Sequence, residues 1–275
     1  MHKDFLGIYI HVPFCKSKCP YCDFYSVPFS EDIIEKYVKS VCNELFKYSL
    51  KTDKIVDTIY FGGGTPSLLS TKHIFKILEN IQKNFRVSTP EITMEINPAD
   101  CDIQYFSEIK NMGVNRISLG VQSFQDSQLK ILGRRHTVED SVKSFESIKS
   151  VGITNISFDF MIGIPGQNFK GIDSFFDFCK NNSIPHISTY ILKIEKGTPY
   201  FYNKKNFVFP TDDRCADMYE YVCEKAKNIG YNHYEISNFS YDNFESRHNM
   251  KYWNLDDYIG VGPGAHSLFE NKRFY

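Results

Sequence analysis

No run of apolar residues in this chain approaches the roughly 20 that a membrane-spanning helix needs, and the opening Met1-His-Lys-Asp-Phe-Leu-Gly7 lacks the long apolar core of a secretory signal. The expected location is therefore the cytoplasm, and no transmembrane span is expected. Charge of one sign is missing as well. The 32 basic and 33 acidic residues are spread along the chain and leave a formal net charge of −1, which gives no electrostatic footprint for nucleic acid. There is no low-complexity tract and no internal repeat beyond an alternation of strands and helices. What is present, 275 residues with 42% hydrophobic and 24% charged, suffices for one large α/β domain.

Of eight cysteines, Cys42, Cys101, Cys179, Cys215 and Cys223 are dispersed and read as structural, because a chain of this size needs no disulfides. The other three, Cys15, Cys19 and Cys22, stand in the spacing CxxxCxxC just after the apolar run Gly7 to Val12 and Pro13. A strand followed by a compact loop can turn three sulfurs towards one point. Structural zinc wants a closed shell of four ligands, and no second CxxC or HxxxH pair follows at zinc-finger distance, so zinc fits poorly. A four-iron cluster on three cysteines keeps one iron open for a small molecule carrying an amine and a carboxylate, such as S-adenosylmethionine. Three metal-free thiols are the bland alternative, and three within eight residues beside Lys16, Lys18 and Pro20 fit it badly.

Strand-like segments recur at Gly7 to Val12, Thr58 to Phe61, Glu91 to Ile96, Arg116 to Val121, Asn155 to Ile162 and His186 to Leu192. Helical periodicity fills the gaps at Asp32 to Leu50, Thr71 to Asn84, Ile103 to Met112, Val138 to Val151 and Lys170 to Asn181. Ser30 is a candidate N-cap, and Gly113 and Gly152 stand where left-handed caps are usual. This order predicts a parallel sheet with crossover helices, as an incomplete (β/α)6 barrel of the TIM type with its site at the carboxyl ends of the strands. Residues 1–238 would form the partial barrel and 239–275 the start of a C-terminal region. Tyr200 to Pro210 reads as a loop, Asp212 to Asn228 as a helix and Tyr231 to Phe239 as a strand.

Several polar residues fall at strand ends. Gly62-Gly-Gly-Thr65 can bring backbone close to a ligand, although a tight turn explains a lone GGG equally well. Glu95, near the end of an apolar strand, needs a partner, either a cationic ligand or a buried salt bridge. Gln122 and Asp159 suit hydrogen bonds to ribose hydroxyls. Arg134 offers a planar fork for a carboxylate, against a default surface role.

The CxxxCxxC spacing with its aromatic-rich turn resembles the radical S-adenosylmethionine (radical SAM) superfamily. Tyr9-Ile-His-Val-Pro-Phe before it and Tyr25 after it are similar to the branch that contains oxygen-independent coproporphyrinogen III oxidase and a related heme chaperone. The resemblance runs from Tyr9 to about His266 and includes Gly262-Pro-Gly-Ala265. It implies a [4Fe-4S] cluster on Cys15, Cys19 and Cys22 that generates a 5′-deoxyadenosyl radical. By the same resemblance, Gly63, Gly64 and Thr65 bind the methionine amino group, and Arg134 grips the methionine carboxylate. Glu95 meets its cationic groups, Gln122 and Asp159 the ribose, and Tyr9 and Tyr21 the adenine.

Within that branch the oxidase has a fourth cysteine two residues after the third, where this chain has Phe24, and an N-terminal extension, where this chain has six residues before Gly7. Arg247-His248-Asn249-Met250-Lys251-Tyr252-Trp253 resembles the HNxxYW motif of the chaperones, which implies heme binding with His248 as candidate ligand. The expectation is a heme chaperone that delivers heme to acceptor proteins, with transient contact to membrane-bound acceptors. The alternatives are a coproporphyrinogen oxidase, whose radical would act on propionate side chains, and a zinc-stabilised barrel. Relatives continue beyond Tyr275, which implies a fragment lacking its remaining C-terminal region.

Overall fold

The computed structural model describes residues 4–275, so the first three residues of the stretch read as lacking a secretory core lie outside the described residues. Six strands, β1 (Phe5–Val12), β2 (Ile55–Gly63), β3 (Arg86–Ile96), β4 (Arg116–Gln122), β5 (Asn155–Ile162) and β6 (His186–Ile191), pair in parallel in chain order. Their crossovers carry α1 (Glu31–Ser49), α2 (Thr71–Asn84), α3 (Ile103–Asn111), the short α4 (Asp126–Ile131), α5 (Val138–Ser150) and α6 (Phe169–Asn182). Thr137 and Asp140 form a capping box on α5, whereas Ser30 occupies the N-cap position of α1 without a side-chain bond. Gly113 (φ 102) and Gly152 (φ 81) take the left-handed conformation that stops α3 and α5.

The remaining chain extends both edges of this sheet. After α7 (Pro199–Asn203) and α8 (Asp212–Asn228) come β7 (Asn232–His233) and β8 (Asn238–Ser240), of which β8 pairs antiparallel with β6 and β7 antiparallel with β8. After α9 (Arg247–Asn254), β9 (Tyr258–Val261) returns to lie parallel to β1, followed by β10 (Ser267–Phe269) and β11 (Lys272–Phe274). The sheet of 11 strands runs β11-β10-β9-β1-β2-β3-β4-β5-β6-β8-β7 and stays open, an incomplete barrel. Two local expectations are corrected. The run from Tyr231 to Phe239 is broken by a turn into β7 and β8, and Tyr200 to Pro210 begins inside α7, while His248 stands on α9. Among the described residues no helix is long and apolar enough to cross a membrane.

Strand residues alternate in character because successive side chains point to opposite faces. On the helix-covered face lie Leu6, Ile8, Ile10 and Val12 of β1, Ile92, Met94 and Ile96 of β3, and Ile156, Phe158, Phe160 and Ile162 of β5, all buried in one hydrophobic core. Phe160 stacks on Phe175 of α6 with centroids 4.0 Å apart. Each such side chain contributes about 1.5–3 kcal/mol when fully buried, so this layer holds the sheet. The concave face carries the opposite chemistry. Tyr60 reaches Glu95, Ser118 reaches Asp159 and Ser157 reaches His186 across neighbouring strands. The fold thus directs a column of polar side chains into the lumen of a half-barrel, and the ends of β1 to β6 open onto it.

Candidate functional site

The cysteine loop leaves the end of β1 and is cinched at its base. Phe14 and Cys15 pair in parallel with Val27 and Pro28, and the Val27 amide donates to the Pro13 carbonyl at 2.7 Å. Inside the loop the Cys22 amide donates to the Cys19 carbonyl at 3.1 Å. His11 of β1 holds the far end through Nε2 and the Tyr25 carbonyl, 2.9 Å apart. Lys16 and Arg135 both bind Asp100, whose side chain is almost sealed, at 3.0 and 2.8 Å. The loop therefore keeps its shape without help from the sulfurs.

All three thiols line one cavity of about 470 Å³, together with Tyr21, Gly63, Gly64, Thr65, Glu95, Gln122, Arg134 and Asp159. That volume is ordinary for a small-molecule site. Among the described residues no three His, Cys, Asp or Glu side chains stand gathered in metal-holding geometry. Backbone bonds fix the ends of the loop, and Cys15 and Cys19 Sγ each accept one long contact, from Thr65 and Arg134. Burial raises the Cys22 thiol above its ordinary range, while the Phe24 amide and Lys18 pull it down.

A chain of hydrogen bonds joins the predicted residues. Arg134 donates through Nη2 to Asn97 Oδ1 at 2.5 Å and to the Gly120 carbonyl at 3.0 Å, and through Nη1 to Cys19 Sγ at 3.7 Å. Asn97 donates to Thr65 Oγ1 at 3.1 Å, which donates to Cys15 Sγ at 3.7 Å. Gly64 has no room for a side chain, since a Cβ would meet the Phe14 carbonyl oxygen at 2.7 Å, the Val12 oxygen at 3.0 Å and Cys15 Sγ at 3.1 Å. Gly64→Ala should cost about 1–3 kcal/mol by overpacking, and thiol alkylation should show Cys15 turned from its present environment. An alanine variant with unchanged stability and unchanged Cys15 reactivity would refute this.

Two carboxylates face the cavity without a salt bridge among the described residues. Glu95 accepts from Tyr60 Oη at 3.0 Å and from the Gly63 amide at 3.1 Å, and Asp159 accepts from Ser118 Oγ at 2.9 Å. Burial, then the mutual repulsion of the pair, raises Glu95 to about 7, and burial raises Asp159 to about 6. A raised carboxyl stabilises the fold below its unfolded value and loses that contribution as the pH rises through about 6 for Asp159 and about 7 for Glu95. A cation bound between them reverses that cost. Gln122 sits beside them with φ 64, a left-handed conformation that costs free energy for a side-chain residue and clusters at functional sites.

Two predicted residues do not line this cavity. Tyr9 stands behind the wall, where a Cβ on Gly62 would meet its ring at 2.9 Å, and its hydroxyl lies 3.2 Å from His11 Nδ1. His248 belongs to the amino-terminal end of the lumen and is 0% exposed. Its Nδ1 lies 2.8 Å from Thr58 Oγ1 and its Nε2 2.8 Å from Tyr252 Oη, so neither nitrogen is free for iron. The helix brings the histidine inward, where a role as heme ligand would require one of these two contacts to open.

A profile of the Radical SAM superfamily matches residues 9–179. The heme chaperone HemW of Lactococcus lactis subsp. lactis is 36% identical over 269 residues, 97% of this chain and 70% of that protein. The HemW of Escherichia coli is 35% identical over 95% and 69% of the two chains. The chain belongs to the heme chaperone HemW family of the radical SAM superfamily. Among solved structures, Escherichia coli coproporphyrinogen III oxidase (HemN), described as a radical SAM enzyme, matches with a TM-score of 0.84 at 18% identity. That likeness, over 97% of this chain and 65% of the other, establishes the shared fold.

Sequence reasoning missed parts of this HemW-family site. Asn97, the junction between Arg134 and Thr65, was legible only as one more polar residue after a strand. Ser118 and Tyr60 have the period-two spacing of lumen-facing residues, a signal hidden by reading each strand as simply apolar. In the position where the resemblance expects the oxidase's fourth cysteine, Phe24 stands at the cavity rim, 63% exposed. A side chain that open contributes little to the core and leaves apolar area at the mouth.

Proposed function

We propose that this chain is the cofactor-binding body of a heme chaperone, with a [4Fe-4S] cluster on Cys15, Cys19 and Cys22 and S-adenosylmethionine in the adjoining cavity. One observation carries the reading: the same cavity has three thiols at its mouth and, in its wall, two carboxylates that form no salt bridge among the described residues. Soft thiolates suit iron–sulfur ligation, and the carboxylates suit the ammonium and sulfonium of the second ligand. A bound cluster supplies one-electron chemistry. The chain's own residues do the rest of the holding: Glu95 and the glycine turn meet the amino group, Arg134 takes the carboxylate, and Asp159 and Gln122 take the ribose hydroxyls. Tyr21 lies against the cavity for the adenine, and Tyr9 supports Glu95 from behind Gly62.

Heme carriage, with delivery to acceptor proteins in the cytoplasm, is supported by the relatives' name and by Phe24 at the rim, where the resemblance places the oxidase's fourth cysteine. Flat apolar area of this kind suits a porphyrin face. Anaerobic reconstitution should give a cluster whose EPR signal changes on adding S-adenosylmethionine, and hemin should titrate with a saturating Soret change. Glu95→Gln, which keeps an acceptor for Tyr60 but removes the charge, should weaken S-adenosylmethionine binding about 10- to 100-fold. A cluster signal indifferent to S-adenosylmethionine, or coproporphyrinogen decarboxylation by the loaded protein, would overturn the reading.

A further inference from the structure

Arg116 is the largest fully buried side chain, 1% exposed, and begins β4. Its place on the concave face follows from register: it pairs with Thr93 of β3 and Asn155 of β5, one step below the pair Glu95 and Ser118. Among the described residues its guanidinium forms no ion pair and no hydrogen bond, and its Nε is sealed from solvent without a partner. Thr93 Oγ1 and Asn155 Oδ1 beside it are unpaired too. A fixed positive charge is costly to seal away and gains nothing from such neighbours, so its compensation has to come through space. Ser118, the next concave-face residue of β4, lies beside Glu95 in register and donates to Asp159, so both carboxylates stand directly above Arg116.

We propose that Arg116 is a positioning residue for the cavity, an internal counter-charge that favours the ionised forms of Glu95 and Asp159 and so prepares them for a cationic ligand. The other groups facing the pair are less suited, although Arg134 also lowers Asp159 through space. Tyr9, Tyr60, Tyr190 and Tyr252 are neutral hydroxyls, and Arg134 is engaged by Asn97, Gly120 and Cys19 at the mouth. His248 and His186, on the same floor, are kept neutral by burial and by Arg116 itself. Two carboxylates at close range share a proton unless a positive charge offsets them. Arg116 supplies that charge from a position the ligand does not occupy, which leaves Arg134 to meet an anionic group.

The test separates this inference from the reading of the ligand on which its second arm rests. In the cluster-free chain the infrared band of protonated carboxyl groups is titrated between about pH 5 and pH 9, with Glu95→Gln and Asp159→Asn assigning its components. Arg116→Gln should raise the midpoint of both components by about one pH unit or more, and Arg116→Lys should leave them within a few tenths. Arg116→Met carries the same expectation as Arg116→Gln should the glutamine variant fail to fold. In the reconstituted protein, Arg116→Gln should bind S-adenosylmethionine about tenfold more weakly at pH 7 and recover near pH 9. A folded Arg116→Gln or Arg116→Met chain with an unmoved titration overturns the proposal. Wild type that binds no S-adenosylmethionine at any pH sinks the ligand reading instead, and the infrared result still decides the role of Arg116.

Discussion

Cys19→Ser should fold as the wild type does and take up no stable iron–sulfur cluster. The sulfur plays almost no part in holding its loop: the turn uses the Cys19 carbonyl, the base uses the ladder of Phe14–Cys15 with Val27–Pro28, and the far end uses His11. Its polar partners are Arg134, through the long approach of Nη1 at 3.7 Å, and the Tyr21 hydroxyl, both of which a serine oxygen can keep. Thermal stability should therefore stay within about 0.5 kcal/mol, as for a surface substitution. A serine hydroxyl, by contrast, stays protonated and hard where iron–sulfur clusters need a soft, deprotonated ligand. Iron and sulfide bound per chain after anaerobic reconstitution should drop to background. Full loading of the serine variant would remove Cys19 from the ligand set, and a grossly unfolded variant would mean that the loop depends on its sulfurs after all.

His248→Ala should destabilise the chain by about 3–5 kcal/mol, the combined cost of a buried cavity and two orphaned polar partners. Thr58 Oγ1 and Tyr252 Oη would lose the ring that now bridges them. The wild-type histidine also shapes the acid limb of stability. Burial, with Lys251 and Arg116 adding to it, lowers the folded ring to about 3, so on acidification below about 6.5 the unfolded chain takes up a proton that the folded chain refuses. Stability from this group is complete above that range and is lost as the pH falls towards about 3. Urea titrations over this range should show that component missing in the alanine variant. If His248 is a strut, the fraction that folds should bind hemin with the wild-type Soret band. An alanine variant of undiminished stability with no heme absorbance would make it a ligand.

The legible part of this fold was the part governed by repetition. Six strands with helices between them, and glycine stops at Gly113 and Gly152, are local signals that tertiary packing did not overrule. Elements shorter than a period or two escaped. The six-residue α4 offers too few positions for a helical stripe, and α7 is announced only by Thr198 capping ahead of Pro199. The parallel partnership of β9 with β1 has no local signature, because it depends on where the whole chain returns. At the site, the thiols and strand-end residues could be named because each carries its chemistry in its type and place. Arg116 and Asn97 could not, since their meaning lies in which strand neighbours them. The partners of His248 were hidden for the same reason: the sequence shows a histidine beside aromatics, and only the inward face of α9 shows that both nitrogens meet hydroxyls.

The strand that bears the sulfur loop is flanked by β2 on one side and β9 on the other, partners from opposite ends of the described chain. During synthesis the first partner follows soon after and the second only when the ribosome has almost finished these residues. Such long-range pairing is slow to form. The strand beneath the thiols is thus walled in on both sides only once β9 has returned to it.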